Sequence, residues 1–448
     1  MKFHIENLRQ IKRAEIEFGD LTIVCGKNNV GKSYLAYSIY SFLSSIRFNL
    51  RIKLKERDFN TILKTGSCHV NIEDYWNDYE LSLNNILPLY AQNIARFLAI
   101  SKIEKTYPSF VFSDFKEKLK SFINTGLIYG YAISENSRIL FDKEVGSKEL
   151  ICTINNEGSS FPDKEKLFER SSYYFSMILN QHILPEIHCM TGERSGISLF
   201  GSYLREANNE HTRQEYFEHR KGKNGEAFSY PKPILDEIEM FLNLDIITKS
   251  NSVMTASGGK QLKILNAFRE LAGGTYIFEN GIITYVPDGS TEPIFLREVS
   301  SSVKALVGLN FYLRHQAQPG HILMIDEPEL NLHPENQRKM ARLLAMLVNA
   351  GIKVFITTHS DYIIREFNTL IQLDNNESYL KKLQKKEGYI TSELLDASKV
   401  KAYVAERQED GVILKAAHIT QHDGITIDTL DEVIDKMNQI QDKIIWRE

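Results

Sequence analysis

A chain of 448 residues is long enough for two or three domains with sizeable cores. With 42% hydrophobic and 25% charged residues it is not a largely disordered protein. A formal net charge of −4 excludes a globally basic nucleic-acid binder, so any such surface must be a local patch.

The first residues, Met1-Lys2-Phe3-His4-Ile5-Glu6, do not read as a signal peptide, and no long uncharged apolar run could span a bilayer. Four cysteines (Cys25, Cys68, Cys152, Cys189) lack C-x-x-C spacing. That argues against a zinc site or disulfide framework and suits a reducing cytosol, so a cytoplasmic protein with no membrane partner is expected. Phe3 and Ile5 alternate with polar neighbours, as do Ala14, Ile16 and Phe18, which predicts two strands before the Gly19-Asp20 turn. Leu21-Thr22-Ile23-Val24 is a short apolar run typical of a buried strand. Cys25 reads as a small buried side chain closing it.

Gly26-Lys27-Asn28-Asn29-Val30-Gly31-Lys32-Ser33 then fits G-x-x-x-x-G-K-[ST], the phosphate-binding loop. Tyr34, Leu35, Ile39, Phe42 and Leu43 follow at helical spacing. The loop therefore joins a strand end to a helix start, where free backbone N–H groups and the positive helix end can hold phosphates. All eight residues are expected to contact ATP. Lys32 would reach the β- and γ-phosphates and Ser33 would ligate Mg²⁺.

From about residue 47 to 181 the pattern turns mixed, charged and aromatic. Arg47, Arg51, Lys53, Lys55 and Arg57 cluster near its start, as a solvated helix face or as a nucleic-acid or partner patch. Gly130–Ile133 and Arg138–Phe141 flank polar residues like a hairpin. Residues 149–154 read as a strand and 164–184 as a helix. Residues 185–190 lead into Thr191-Gly192-Glu193-Arg194-Ser195-Gly196. This is either an active-site edge or an ordinary turn with Thr191 or Ser195 as helix cap. Residues 213–223 read as a charged loop, 234–242 as a helix, and 256–261 as a loop and cap before a helix through Leu265, Phe268 and Leu271. Residues 275–278 and 282–286, joined through Asn280-Gly281, predict a hairpin.

His321-Ile322-Leu323-Met324-Ile325-Asp326-Glu327 is an apolar strand ending in two acids. Such a strand brings its carboxylates to the carboxyl edge of a parallel sheet, beside the phosphate loop. Asp326 is placed to hold Mg²⁺ and Glu327 to activate the attacking water. Residues 353–358 form another apolar strand, ending in His359, which can donate a hydrogen bond to the γ-phosphate or to the lytic water. In the tail, residues 400–404 and 411–420 resemble strands and 428–445 an amphipathic helix. No D-x-D pair stands there for a two-metal nuclease.

Through these motifs the chain resembles an ABC-type ATPase head of the SMC, RecF and OLD group. The resemblance covers roughly residues 1–45 and 183–370. It implies an α/β fold: a mixed and parallel sheet with flanking helices and an N-terminal antiparallel β layer, carrying a large, mostly helical insertion. The expected organisation is a discontinuous head over 1–46 and 183–375, an insertion over 47–182 with a small β element, and a C-terminal β/helix extension over 376–448. In such heads ATP is sandwiched between two copies, and the second copy supplies a signature serine at a helix N-terminus. Val299-Ser300-Ser301-Ser302-Val303-Lys304 matches that segment, which gives Ser301, with Ser302 beside it, this role. Asn331 and His333 would approach the partner head, and Glu193 and Arg194 would lie at the edge where these ATPases place their Q-loop. The implied partners are a second copy, as a head-to-head homodimer or an oligomer built from dimers, and a separate effector such as a nuclease or toxin. The chain is similar to the stand-alone ATPases of bacterial antiphage systems of the PARIS and Septu type. The alternative is a RecF/SMC-like ATPase that binds DNA for repair or maintenance, with DNA or RNA contact through the local basic patch.

Overall fold

The computed structural model describes residues 1–100, 106–111, 115–156, 163–201, 203, 230–256, 261–427, 439–443 and 445. The charged 213–223 stretch, most of the 256–261 segment and most of the expected 428–445 helix lie outside these residues. Two compact units are present. The smaller comprises Met1–Phe3, Ser41–Ile94 and Pro108–Glu186; the larger comprises His4–Tyr40, Ala95–Tyr107 and Ile187–Glu448.

The larger unit is built on a mixed sheet. Its strands lie side by side in the order Lys2–Leu8, Ile11–Glu17, Gly411–Ala416, Val400–Gln408, Leu21–Cys25, Lys353–Thr358, Ile322–Asp326 and Ile187–Met190. Leu21–Cys25 and Ile322–Asp326 are buried at every position, as parallel strands covered on both faces must be. The parallel register sets Thr358 beside Cys25, Asp326 beside Thr357, and Met190 beside Ile325. The carboxyl ends of these strands thus meet at one edge. Helices Pro334–Asn349 and Asp361–Leu373 pack together, sinking Leu343, Leu344, Phe367 and Leu370 into the core. Their starts carry local signals. His333 caps the first through Glu335 N–H at 3.4 Å, ahead of Pro334, and Ser360 caps the second through Ile363 N–H at 3.3 Å.

Two strands of the 376–448 stretch enter the same sheet. Val400–Gln408 pairs in parallel with the phosphate-loop strand, and Gly411–Ala416 in parallel with Ile11–Glu17. The tail therefore closes the sheet between the N-terminal strands and Leu21–Cys25. The Gly274–Glu279 and Ile282–Pro287 hairpin turns through Asn280 and Gly281, both with positive φ (51° and 77°), the signature of a type I′ turn.

The smaller unit holds more β structure than expected. It contains an antiparallel sheet of Ser67–Asn71, Glu149–Asn156, Ser137–Lys143 and Leu127–Ala132, in that order. Helix Lys164–Ile183 turns Ser172 and Ser176 towards an extended segment, where their hydroxyls accept from Leu54 N–H and Ile52 N–H, each at 3.1 Å. Most of the basic cluster is already engaged within this unit. Arg47 bridges Glu186 at 2.6 Å, Arg51 lies over the Tyr173 ring, and Lys55 donates to the Asp74 carbonyl at 2.7 Å. Arg57 pairs with Asp74 and, at 3.4 Å, with Asp58.

Candidate functional site

The edge where the parallel strands end carries a cavity of about 990 Å³, lined by Asn28 to Tyr34 of the phosphate loop together with Arg9, Gln10, Glu327 and His359. The loop that borders it is shaped by its glycines and by the tail strand. Gly26 has φ +143°, and a Cβ there would come within 2.7 Å of the Ala405 carbonyl, so only glycine lets strand and loop pack this closely. Arg407 on the same tail strand donates to the Asn29 carbonyl at 3.1 Å.

Lys32 is held inside the loop. Its ammonium donates to the Gly26 carbonyl at 2.8 Å and the Lys27 carbonyl at 2.9 Å. Burial lowers its pKa, while Glu327, Asp326 and Glu329 pull the other way. Ser33 Oγ donates to Asp326 Oδ1 at 3.1 Å, and Thr357 Oγ donates to the same oxygen. Asp326 is only 3% exposed. A hydroxyl and a buried carboxylate side by side are hard oxygen donors suited to Mg²⁺, and the loop's backbone with Lys32 suits a polyphosphate, so these residues fit ATP and its metal.

Glu327 follows the strand with φ +53°, a conformation that is strained for a residue with a side chain. Its N–H donates to the Thr357 carbonyl at 3.0 Å. His359 Nδ1 lies 3.5 Å from Glu327 Oε1 and 3.3 Å from Glu329 Oε1. Glu329 was not singled out from sequence. It is buried, which raises its pKa, and it accepts from His359 N–H and Thr358 Oγ, each at 2.8 Å. It thus fixes the loop that carries the histidine.

The Thr191 turn joins the site through Arg194. This guanidinium donates to the Thr191 and Asp326 carbonyls at 2.9 and 2.8 Å and to the Glu327 carbonyl at 2.7 Å. Glu193 instead accepts from Tyr37 Oη at 3.1 Å. Neither Ser301 nor Ser302 lines the cavity. Ser300 caps helix Ser301–Phe311 and shares a 2.8 Å hydrogen bond with Ser302 Oγ, which leaves Ser301 exposed at the helix start. Asn331 donates to Ser195 Oγ at 3.2 Å, and the His333 ring is committed to its cap. Arg9, Gln10, Arg407 and Glu329 escape sequence reading because no spacing links them to the loop. For Glu329 the one signal in the sequence is a further acid two residues beyond Glu327.

Below this edge, Glu237 accepts from Thr191 N–H at 2.9 Å and Thr191 Oγ at 2.7 Å. Burial pushes its carboxyl from 4.5 up to about 7, against the Thr191 donors and Arg194. An acid raised on folding keeps its proton longer in the folded state than in the unfolded one. The contribution of Glu237 to stability is therefore greatest below pH 4.5 and is lost as the pH rises towards 7. Glu237→Gln removes this titration. The melting temperature of the unsubstituted protein should fall relative to the variant across that window, then run parallel to it at higher pH. A gap independent of pH across the window contradicts the assignment.

Three solved structures are similar over most of their length. One is an SMC head bound to the C-winged helix domain of ScpA, 12% identical, with 93% of this chain and 96% of that chain covered and a TM-score of 0.36. The second is an Smc head with an extended coiled coil bound to the C-terminal domain of ScpA, derived from Pyrococcus furiosus. It is 13% identical, with 98% of each chain covered and a TM-score of 0.36. The third is the SMC head domain from Thermotoga maritima, 12% identical, with 93% of this chain and 98% of that chain covered and a TM-score of 0.31. No curated protein matches the chain. Residues 1–364 match the family AAA_15, described as AAA ATPase domain. That match takes in the phosphate loop, both strand-end acids and His359, and the chain belongs to the AAA ATPase domain family.

Proposed function

We propose that the chain hydrolyses ATP at a site shared by two copies, and that nucleotide state controls their association. The observation that carries this reading is the meeting of Lys32, Ser33, Glu327 and His359 around one cavity, with the buried Asp326 hydrogen-bonded to Ser33 behind it. Lys32 and the loop N–H groups hold the phosphates. Ser33 and Asp326 are the ligands for Mg²⁺, which when bound offsets the charge on the transferring phosphoryl group. Glu327 takes the proton of the attacking water, and His359, steadied by Glu329, donates to the γ-phosphate. Ser301 reaches the nucleotide of the other copy. Its exposure at a helix start away from its own cavity supports that role.

A switch of this kind suits the ATPase component of a defence system that controls a separate effector, and nuclease chemistry is assigned to that effector. The DNA-maintenance alternative, drawn from the RecF/SMC resemblance, is compatible with the same site; the engagement of Arg47, Lys55 and Arg57 with acids or carbonyls in their own unit weighs only against the basic cluster as its DNA contact. Complementation tests the shared site. Lys32→Ala and Ser301→Arg chains should each be inactive alone. Mixed, they form one intact site from the Lys32 of one copy and the Ser301 of the other, and activity should return to a fraction of the unsubstituted level. Mixtures that stay inactive although both chains fold and associate contradict sharing.

A further inference from the structure

Arg194 is 5% exposed, yet its three hydrogen bonds all go to backbone carbonyls. Among the described residues it makes no salt bridge. Burying a cation without a paired carboxylate costs several kcal/mol. Burial accordingly lowers its pKa, with Glu237, Asp326 and Glu329 offsetting part of the effect from a distance. A fold that bears this cost gains something from the placement, and the carbonyls concerned show what. Two of them belong to Asp326 and Glu327, the strand end and the strained residue after it. Glu327 is thus gripped on both sides of its Cα, by the Thr357 carbonyl on its N–H and by Arg194 on its own carbonyl.

We propose that Arg194 is a positioning residue for ATP hydrolysis: its guanidinium holds the left-handed turn at Glu327 and thereby aims the Glu327 carboxylate at the attacking water. This rests on the reading of Glu327 as the general base. The brace extends further. Arg194 also holds the Thr191 carbonyl, and Thr191 is fixed by Glu237 on helix Lys232–Leu242. The chain of contacts therefore ties that helix to the acidic strand, and neither Glu237, Thr191 nor Arg194 lines the cavity.

The test is a double-mutant cycle read by ATP turnover and ATP binding in the full chain. Arg194→Met should lower kcat roughly 10²-fold, the loss typical of a base misplaced by about 1 Å. ATP affinity should change little, because Arg194 does not line the cavity. In a Glu327→Gln background the same substitution should lower turnover by no more than about 2-fold, the ordinary additivity error. Arg194→Lys keeps the charge but cannot hold both carbonyls. It should fall between, and it replaces Arg194→Met in the cycle if that variant does not fold. An equal loss in both backgrounds overturns the positioning role while leaving Glu327 as the base. Loss of ATP binding in parallel with kcat overturns it as well. Unimpaired turnover by Glu327→Gln alone overturns the underlying reading instead.

Discussion

Lys32→Ala abolishes measurable ATP binding and turnover if the phosphate loop works as its geometry indicates. The Lys32 ammonium already sits between the Gly26 and Lys27 carbonyls at 2.8 and 2.9 Å, so it is pointed at the loop's concave side before any phosphate arrives. Little rearrangement then opposes binding. A charge-assisted hydrogen bond contributes about 1.5–3 kcal/mol, so losing two to the phosphates weakens ATP binding by at least roughly 10²-fold. The substitution also leaves the two loop carbonyls without their donor, and a melting curve separates that structural effect from loss of affinity. A nucleotide titration together with phosphate release decides the matter. Turnover unchanged from the unsubstituted chain contradicts the assignment of the loop.

Glu327→Gln separates binding from chemistry. The amide keeps the size of the carboxylate and leaves untouched both the N–H bond to Thr357 and the carbonyl bond to Arg194. The strained turn therefore persists, as do the Lys32, Ser33 and Asp326 contacts. On the general-base role proposed for Glu327, the ability to accept a proton from water is lost, which lowers turnover by roughly 10²–10⁴-fold. ATP should bind as before and remain unhydrolysed. Single-turnover measurements at saturating ATP distinguish this from slowed product release, since only a defect in the chemical step delays the first round of phosphate formation.

The phosphate loop is legible from sequence because its chemistry is local: eight consecutive residues make the cradle, and their flanks declare a strand and a helix. The Ile322–Asp326 and Lys353–Thr358 strands were equally legible, since burial on both faces leaves an unbroken apolar run ending in functional groups. The hairpin at Asn280-Gly281 announced itself through its turn chemistry. What escaped depends on pairing across long stretches of chain. Val400–Gln408 reads as a strand, but nothing in its residues says that Val404 will lie beside Cys25. The sequence leaves Arg194 open between an active-site edge and an ordinary turn, because its partners are carbonyl oxygens, which every residue has and no motif can mark. Ser67–Asn71 hides for another reason. Only Val70 among its residues is buried, so it shows no alternation, and the sheet of the smaller unit appeared in sequence as a hairpin and one strand.

The most direct test of a nucleotide-driven pairing of two copies is the molar mass of Glu327→Gln by light scattering, measured with Mg²⁺ and either ATP or ADP. Trapped ATP should hold two heads together. The mass with ATP is therefore expected to be double that with ADP, and Ser301→Arg in the same chain should abolish the increase. An equal mass in both nucleotides, with ATP shown to be bound, contradicts the shared site.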